Sequence, residues 1–406
     1  MKRAPLALGL ILSVFTLGLV PSSTAAVKAG SACTKVGAKS VSGGKSYSCI
    51  KSGKKLVWDK GVLVPVAKPK PSASAAPSAS ASPSSAPSVS PTPKASVAPA
   101  VVYPKGPTSF DDLVENYQGI SFAAWRKSSE AIKTSTSKSP SFKAETGPNT
   151  KLTYATPAVA FDLVKRMYGD YESSPDFTVL SFGYEDRMWA QEKMKAIQPS
   201  STWQWITYTA CATKETCWGG GMFTDPQGKG LLVLTTEVVD ANHTTGTLEA
   251  HEYTHAVQQN QMRGPQPWPT TGNWPPTWYL EGQAEFSQNA SIYYESFELY
   301  TKNRRDVSMD LFRDSKITSE WIQEYFTLNQ TSAWFDKYDR WRQYDLGGML
   351  VEVLAALKGP ASTMEAWKQC GSGMTFPAAF EKVYGISFEK ALPTISKAIA
   401  LELGRS

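Results

Sequence analysis

The apolar positions change rhythm four times along the chain. From Leu6 to Val20 they are nearly continuous, behind Lys2 and Arg3 and ahead of a break at Pro21-Ser22-Ser23. From 27 to 66 they are sparse and short-spaced around Gly43-Gly44, which predicts a turn between two small strands, with Tyr47 and Trp58 as a mini-core. From 67 to 100 they dissolve into Pro, Ser and Ala, with almost nothing to bury. From about 106 the pattern becomes globular. Helical spacing is predicted for a run capped by Thr108 or Ser109 through Asp111-Asp112-Leu113, and for Ser121 to Ile132, Pro157 to Tyr168 and Glu185 to Ile197. Phe177 to Phe182 reads as a strand, and so does Leu231 to Thr236 behind the turn-like Asp225-Pro226-Gln227-Gly228. Beyond that strand the pattern is helical to the end. Short strands first and helices afterwards predict an α+β fold.

These rhythms divide the chain into an export signal over 1–26, with Thr24-Ala25-Ala26 as small residues for cleavage, a small module over 27–66, a linker over 67–105, and a main domain over 106–406. No later apolar run approaches the roughly 20 residues that span a bilayer, so no transmembrane segment is expected after signal cleavage. Export fits the cysteines. Cys33 with Cys49 and Cys211 with Cys217 are close enough in sequence to close loops, leaving Cys370 over.

Charge sharpens the division. The chain has 406 residues and a net charge of +6, but 27–100 alone hold eleven lysines against Asp59. The basic character belongs to the N-terminal segment, which suits an anionic cell-envelope polymer. Nucleic acid is not indicated, since no basic helix, RNA-binding aromatic motif or zinc-finger spacing occurs.

Only three histidines are present, and two stand in His251-Glu252-Tyr253-Thr254-His255. Residues four apart share one helix face, so both imidazoles can bind one Zn²⁺. Glu252 then reaches a bound water as general base. With this composition the pattern arises by chance on the order of once in a thousand chains. Thr245 or Thr247 is placed to cap the helix. A catalytic zinc needs a third protein ligand, and Glu281 follows 26 positions after His255, in Trp278-Tyr279-Leu280-Glu281-Gly282-Gln283-Ala284-Glu285 behind Pro275-Pro276. Glu285, one turn on, is placed to accept a hydrogen bond from the far nitrogen of a ligand histidine. Gly282 and Ala284 permit close helix approach. Trp268, Trp274 and Trp278 lie near these motifs, as pocket lining or as core.

The pair His251-Glu252-x-x-His255 and Trp278-Tyr279-Leu280-Glu281-Gly282-x-Ala284 resembles the gluzincin metallopeptidases, in particular the peptidase-MA-like group. This chain has Tyr279-Leu280 where that group has Leu and a variable residue. The resemblance extends over about 230–400 through Tyr344-Asp345-Leu346-Gly347-Gly348 and the helical segments after it. It implies a zincin-like domain with a small sheet lobe and a mostly helical C-terminal lobe. It implies His251, His255 and Glu281 as zinc ligands, Glu252 as base, and peptide or protein substrates. It also implies that a Tyr from a later helix, here Tyr344, donates to the oxyanion; His243 is the other candidate. The strand Leu231 to Thr236 would lie beside the cleft and pair with an extended peptide. The N-terminal module resembles a small Cys-Gly-Tyr-Cys-Trp unit of exported actinobacterial proteins. The expected function is that of a secreted zinc metallopeptidase. The alternatives are an envelope-associated binding or scaffold protein with a structural or degenerate zinc site, and a zinc hydrolase acting on a non-peptide bond.

Overall fold

The computed structural model describes residues 31–63 and 102–405, apart from 34–35, 37–38, 43–44, 54, 61, 151–156, 200–202, 226, 238–243, 264–272 and 329–337. The export signal, the Gly43-Gly44 turn and nearly all of the Pro/Ser/Ala linker lie outside the described residues. The chain divides into two units at residues 98–99.

In the first unit β1 (Lys39–Ser42), β2 (Lys45–Ser52) and β3 (Lys55–Trp58) pair antiparallel in order, and β4 (Val62–Leu63) also pairs with β2. Cys49 is buried, faces Trp58 across the β2–β3 register and is bonded to Cys33. Tyr47 and Trp58 are half-buried. A core this small depends on such a cross-link.

The second unit has a four-stranded sheet in the order β5 (Lys143–Thr146), β6 (Asp176–Phe182), β8 (Lys229–Thr235), β7 (Gly220–Thr224). β5, β6 and β8 run parallel, and β7 runs antiparallel to β8. The apolar runs in β6 and β8 are continuous because both faces are covered. Phe177, Val179, Leu232 and Leu234 point into the main core. Leu180, Phe182, Leu231 and Val233 point into a second cluster with Ala190, Met194, Ile206 and the Cys211–Cys217 disulfide. Cys370 remains a free buried thiol, and burial pushes its pKa up to about 12.

Helices α1 (Ile120–Thr134), α2 (Pro157–Tyr168) and α3 (Arg187–Ile197) match the predicted helices within a few residues. The run at Asp111-Leu113 does not form a regular helix. There Asp112 instead accepts hydrogen bonds from the backbone N–H groups of Thr108 and Ser109, a local turn that competes with helix. Among the described residues nine helices follow: α4 (Thr247–Gln261), α5 (Thr277–Ile292), α6 (Phe297–Val307), α7 (Met309–Arg313), α8 (Ser319–Leu328), α9 (Arg342–Lys358), α10 (Pro360–Gly371), α11 (Phe376–Tyr384) and α12 (Phe388–Glu402). The fold is α+β, with the helices concentrated in the C-terminal part. Among the described residues no helix is long and apolar enough to cross a membrane.

α4 packs against α2, α5 and β7, and α5 packs against α9. α5 begins after Pro276, as Pro275-Pro276 predicts. Its Trp278 is fully buried and stacks on Phe388, with Phe326 and Phe376 edge-on, so this tryptophan belongs to the core. At the α5–α9 crossing Gly282 meets Gly347 backbone to backbone. A Cβ on Gly347 would collide with the Trp278 carbonyl oxygen, and one on Gly282 with the Gly347 backbone. Gly347→Ala is therefore expected to cost about 1–3 kcal/mol through overpacking, read as a lower midpoint in denaturant unfolding. An unchanged midpoint would show that the crossing has slack.

Candidate metal centre

α4 carries the His-Glu-x-x-His sequence. It starts from Gly246, whose φ of 89° is left-handed, and no side chain caps it. Neither Thr245 nor Thr247 is the cap that the sequence predicts: Thr247 is already the first helical residue, and the chain enters through a conformation suited to glycine. From Thr247 to Gln258 all residues but Leu248 are buried. The helix therefore has no polar face and no apolar stripe. Glu249, in its first turn, is buried with neither carboxylate oxygen hydrogen-bonded, and burial pushes its pKa to about 7.

The two histidines project from consecutive turns, with ring centroids 4.9 Å apart and rings nearly perpendicular. Glu281 reaches across from α5. Its Oε2 lies 3.4 Å from His251 Nε2 and 3.3 Å from His255 Nε2. One donor atom from each residue lies within 4.8 Å of the others, so the three form a group that can hold a metal ion. Burial penalises the Glu281 charge, yet His255 and His251 together hold its carboxyl well below the usual range. Burial also penalises a charged His255, and Glu281 outweighs it, raising the pKa to about 9.

The groups around the triad fall on three sides. Glu285 lies behind His251, with Oε2 4.0 Å from Nδ1. This is the side the helix spacing predicts, at ion-pair reach and beyond direct hydrogen-bond distance. Gln288 Nε2 donates to Glu285 Oε1 at 2.8 Å, and burial raises the Glu285 pKa against the pull of His251. Glu252 is buried and its pKa is raised, chiefly by that burial. Its side chain lies against Gly220 of β7, where an added Cβ would come within 2.8 Å of Cγ and Oε1. Tyr344, from α9, stacks on the His251 ring at 5.9 Å and 27°. Burial, with Glu281 adding to it, pushes its hydroxyl pKa far up, while Arg340 acts in the opposite direction.

One expectation about the surroundings is overturned. β8, which contains Leu231 to Thr235, lies inside the sheet, between β6 and β7. The strand beside Glu252 is β7, which is the sheet edge. Its Gly220-Gly221 start lacks the β-branched pattern that marks strands, and Trp218-Gly219-Gly220-Gly221 was the only signal available. Sequence reasoning also missed an aromatic column. Tyr344 leads to Trp341 at 5.5 Å and Trp341 to Trp218 at 6.0 Å; both tryptophans are about half exposed. His243 and Trp268 lie outside the described residues. Trp274 packs edge-on against Trp367 and is partly exposed.

Comparison with protein-family models, with curated proteins and with solved structures finds no match. What stands is the buried His251/His255/Glu281 group on a pair of packed helices.

The triad makes a direct expectation. The metal-free chain titrated against a chromogenic chelator should take up one divalent ion, and Glu281→Gln should weaken that binding at least about tenfold. Equal affinity in the two proteins would remove Glu281 from the site.

Proposed function

We propose that this protein is an exported zinc-dependent metallopeptidase, with His251, His255 and Glu281 as the metal ligands. Two ligand atoms each about 2.0–2.1 Å from a tetrahedral ion lie about 3.3–3.4 Å apart. The separations from Glu281 Oε2 to the two imidazole nitrogens, 3.3 and 3.4 Å, fit that spacing. Two imidazoles and one carboxylate make a donor set suited to zinc, and a fourth position left open distinguishes a catalytic from a structural site. Bound there, zinc supplies Lewis acidity and makes a water nucleophilic near neutral pH.

The observation that carries the reading is the position of Glu252, held between the triad and the backbone of edge strand β7. Further along β7 the Met222 carbonyl is taken by Gln259 Nε2 at 3.2 Å, so an extended peptide would pair at the Gly220 end of the strand, which brings its backbone alongside Glu252. The Glu252 carboxylate then takes the proton of the attacking water and passes it to the leaving amine. Burial raises its proton affinity, which favours the uptake of that proton. Tyr344, kept protonated by its surroundings, donates a hydrogen bond to the oxyanion. Glu285 orients His251 from behind. A purely structural site has no use for Glu252, which weighs against the scaffold reading.

The two disulfides suit an oxidising, extracytoplasmic compartment. In the N-terminal unit Lys51, Lys55 and Lys60 are exposed, and an anionic envelope polymer is the partner we assign to that unit.

The test is a peptide library incubated with the zinc-loaded chain and read by mass spectrometry. Cleavage that stops on adding a chelator, together with a Glu252→Gln variant that keeps its zinc but loses about 10²–10⁴-fold in rate, is the expected result. A zinc-loaded wild type that cleaves no peptide would refute the peptidase.

A further inference from the structure

His255 is backed by a buried chain of neutral side chains. Thr363, on α10, donates its hydroxyl proton to the Pro360 carbonyl at 2.7 Å. With that proton committed, Thr363 Oγ1 can only accept, and it accepts from Gln283 Nε2 at 2.7 Å. The Gln283 amide nitrogen is thereby fixed on that side and its oxygen on the other. That oxygen accepts from Gln258 Nε2 at 2.8 Å. The same Gln258 nitrogen gives its second proton to the Leu280 carbonyl at 3.0 Å. Gln258 Oε1 is left facing His255 Nδ1 at 2.7 Å. An amide oxygen cannot donate, so Nδ1 must carry the proton. In the neutral ring the Nε2 lone pair then points towards Glu281.

We infer that Gln258, Gln283 and Thr363 are positioning residues, a one-way hydrogen-bond relay that fixes the tautomer and ring plane of His255 from a backbone carbonyl on a different helix. The relay deepens the metal-site reading and rests on it. Its direction is set at the ends by the Pro360 and Leu280 carbonyls, groups that can only accept. Gln258, Gln283 and Thr363 are all fully buried. A flipped amide would set N–H against N–H and oxygen against oxygen with no water to compensate, so one orientation dominates. Two side arms stiffen the frame. Tyr279 donates to the Thr363 carbonyl at 2.7 Å, and Ser287 donates to the Gln283 carbonyl at 2.6 Å, which leaves Tyr168 to donate to Ser287. Helices α2, α4, α5 and α10 are thus tied to one imidazole.

The experiment compares zinc affinity, by chelator competition on the full chain, in the wild type, Gln258→Met, Thr363→Val and Thr363→Ser. Folding is checked by circular dichroism with chelator present. Gln258→Met should bind about 10–100-fold more weakly. Thr363→Val, separated from the histidine by two other side chains, should lose roughly three- to tenfold in the same direction, because Gln283 is then free to flip. Thr363→Ser keeps the hydroxyl and should restore wild-type affinity. The zinc-loaded wild type gives a second readout that needs no variant. With only three histidines, nitrogen-15 spectra should show His255 protonated at Nδ1 and coordinated through Nε2. Equal affinities in Thr363→Val and Thr363→Ser, or a His255 coordinated through Nδ1, would overturn the relay while leaving the metal site in place. A wild type that binds no zinc would overturn both.

Discussion

Ionisable groups taken out of water must neutralise one another, and this condition governs the architecture around α4. His251, Glu252 and His255 are each less than a tenth exposed, and Glu281 and Glu285 press in from α5. An isolated charge in such surroundings costs several kcal/mol. The outcome differs residue by residue. Glu281 keeps its charge because two imidazoles face it, whereas Glu252 and Glu285, with less compensation, are pushed towards their protonated forms. A divalent cation held at the triad would supply positive charge to these acidic groups.

Meeting that condition requires backbones to come unusually close, and glycine supplies the room. Gly282 sits next to Glu281 on α5 and lets α9 approach, and α9 brings Tyr344 over the His251 ring. Gly220 performs the equivalent service for β7 against Glu252. A side chain at either place would push apart the elements that bring the triad, Glu252 and Tyr344 together. These glycines belong to the site as much as the triad does.

The candidate metal-binding group was legible in the sequence because helical periodicity turns spacing into geometry: His251 with His255, and Glu281 with Glu285, are one-turn pairs. The two central strands, β6 and β8, were legible for a different reason, their continuous apolar runs, whereas β5 gave no such signal. What escaped depends on contacts between distant segments. Gln258, Gln283 and Thr363 are unremarkable polar residues until α4, α5 and α10 are packed together. Gln258 alone carried a hint, three positions beyond His255. β7 escaped because glycines begin it, and its place at the edge, with β8 inside, is a matter of sheet order that no local pattern encodes. The α4 cap escaped because a left-handed Gly246 replaces the side-chain oxygen that a capping rule looks for.

The two histidines are supported by different chemistry, and the difference follows from charge. On the His251 side stand carboxylates, Glu285 and beyond it Asp345, whose pKa burial lifts to about 7 against the pull of Arg342. On the His255 side stand amides and a hydroxyl, which orient the ring and add no charge. Were both histidines backed by ionised carboxylates, four or more negative charges would surround a divalent ion in a medium that screens poorly. With a neutral relay on one side, the acidic groups packed directly around the two imidazoles are Glu281 and Glu252. When both are ionised, they balance the two positive charges that a divalent ion would bring. The same balance explains why amides rather than carboxylates occupy the relay: they direct a lone pair towards the ion without weakening its hold on electrons.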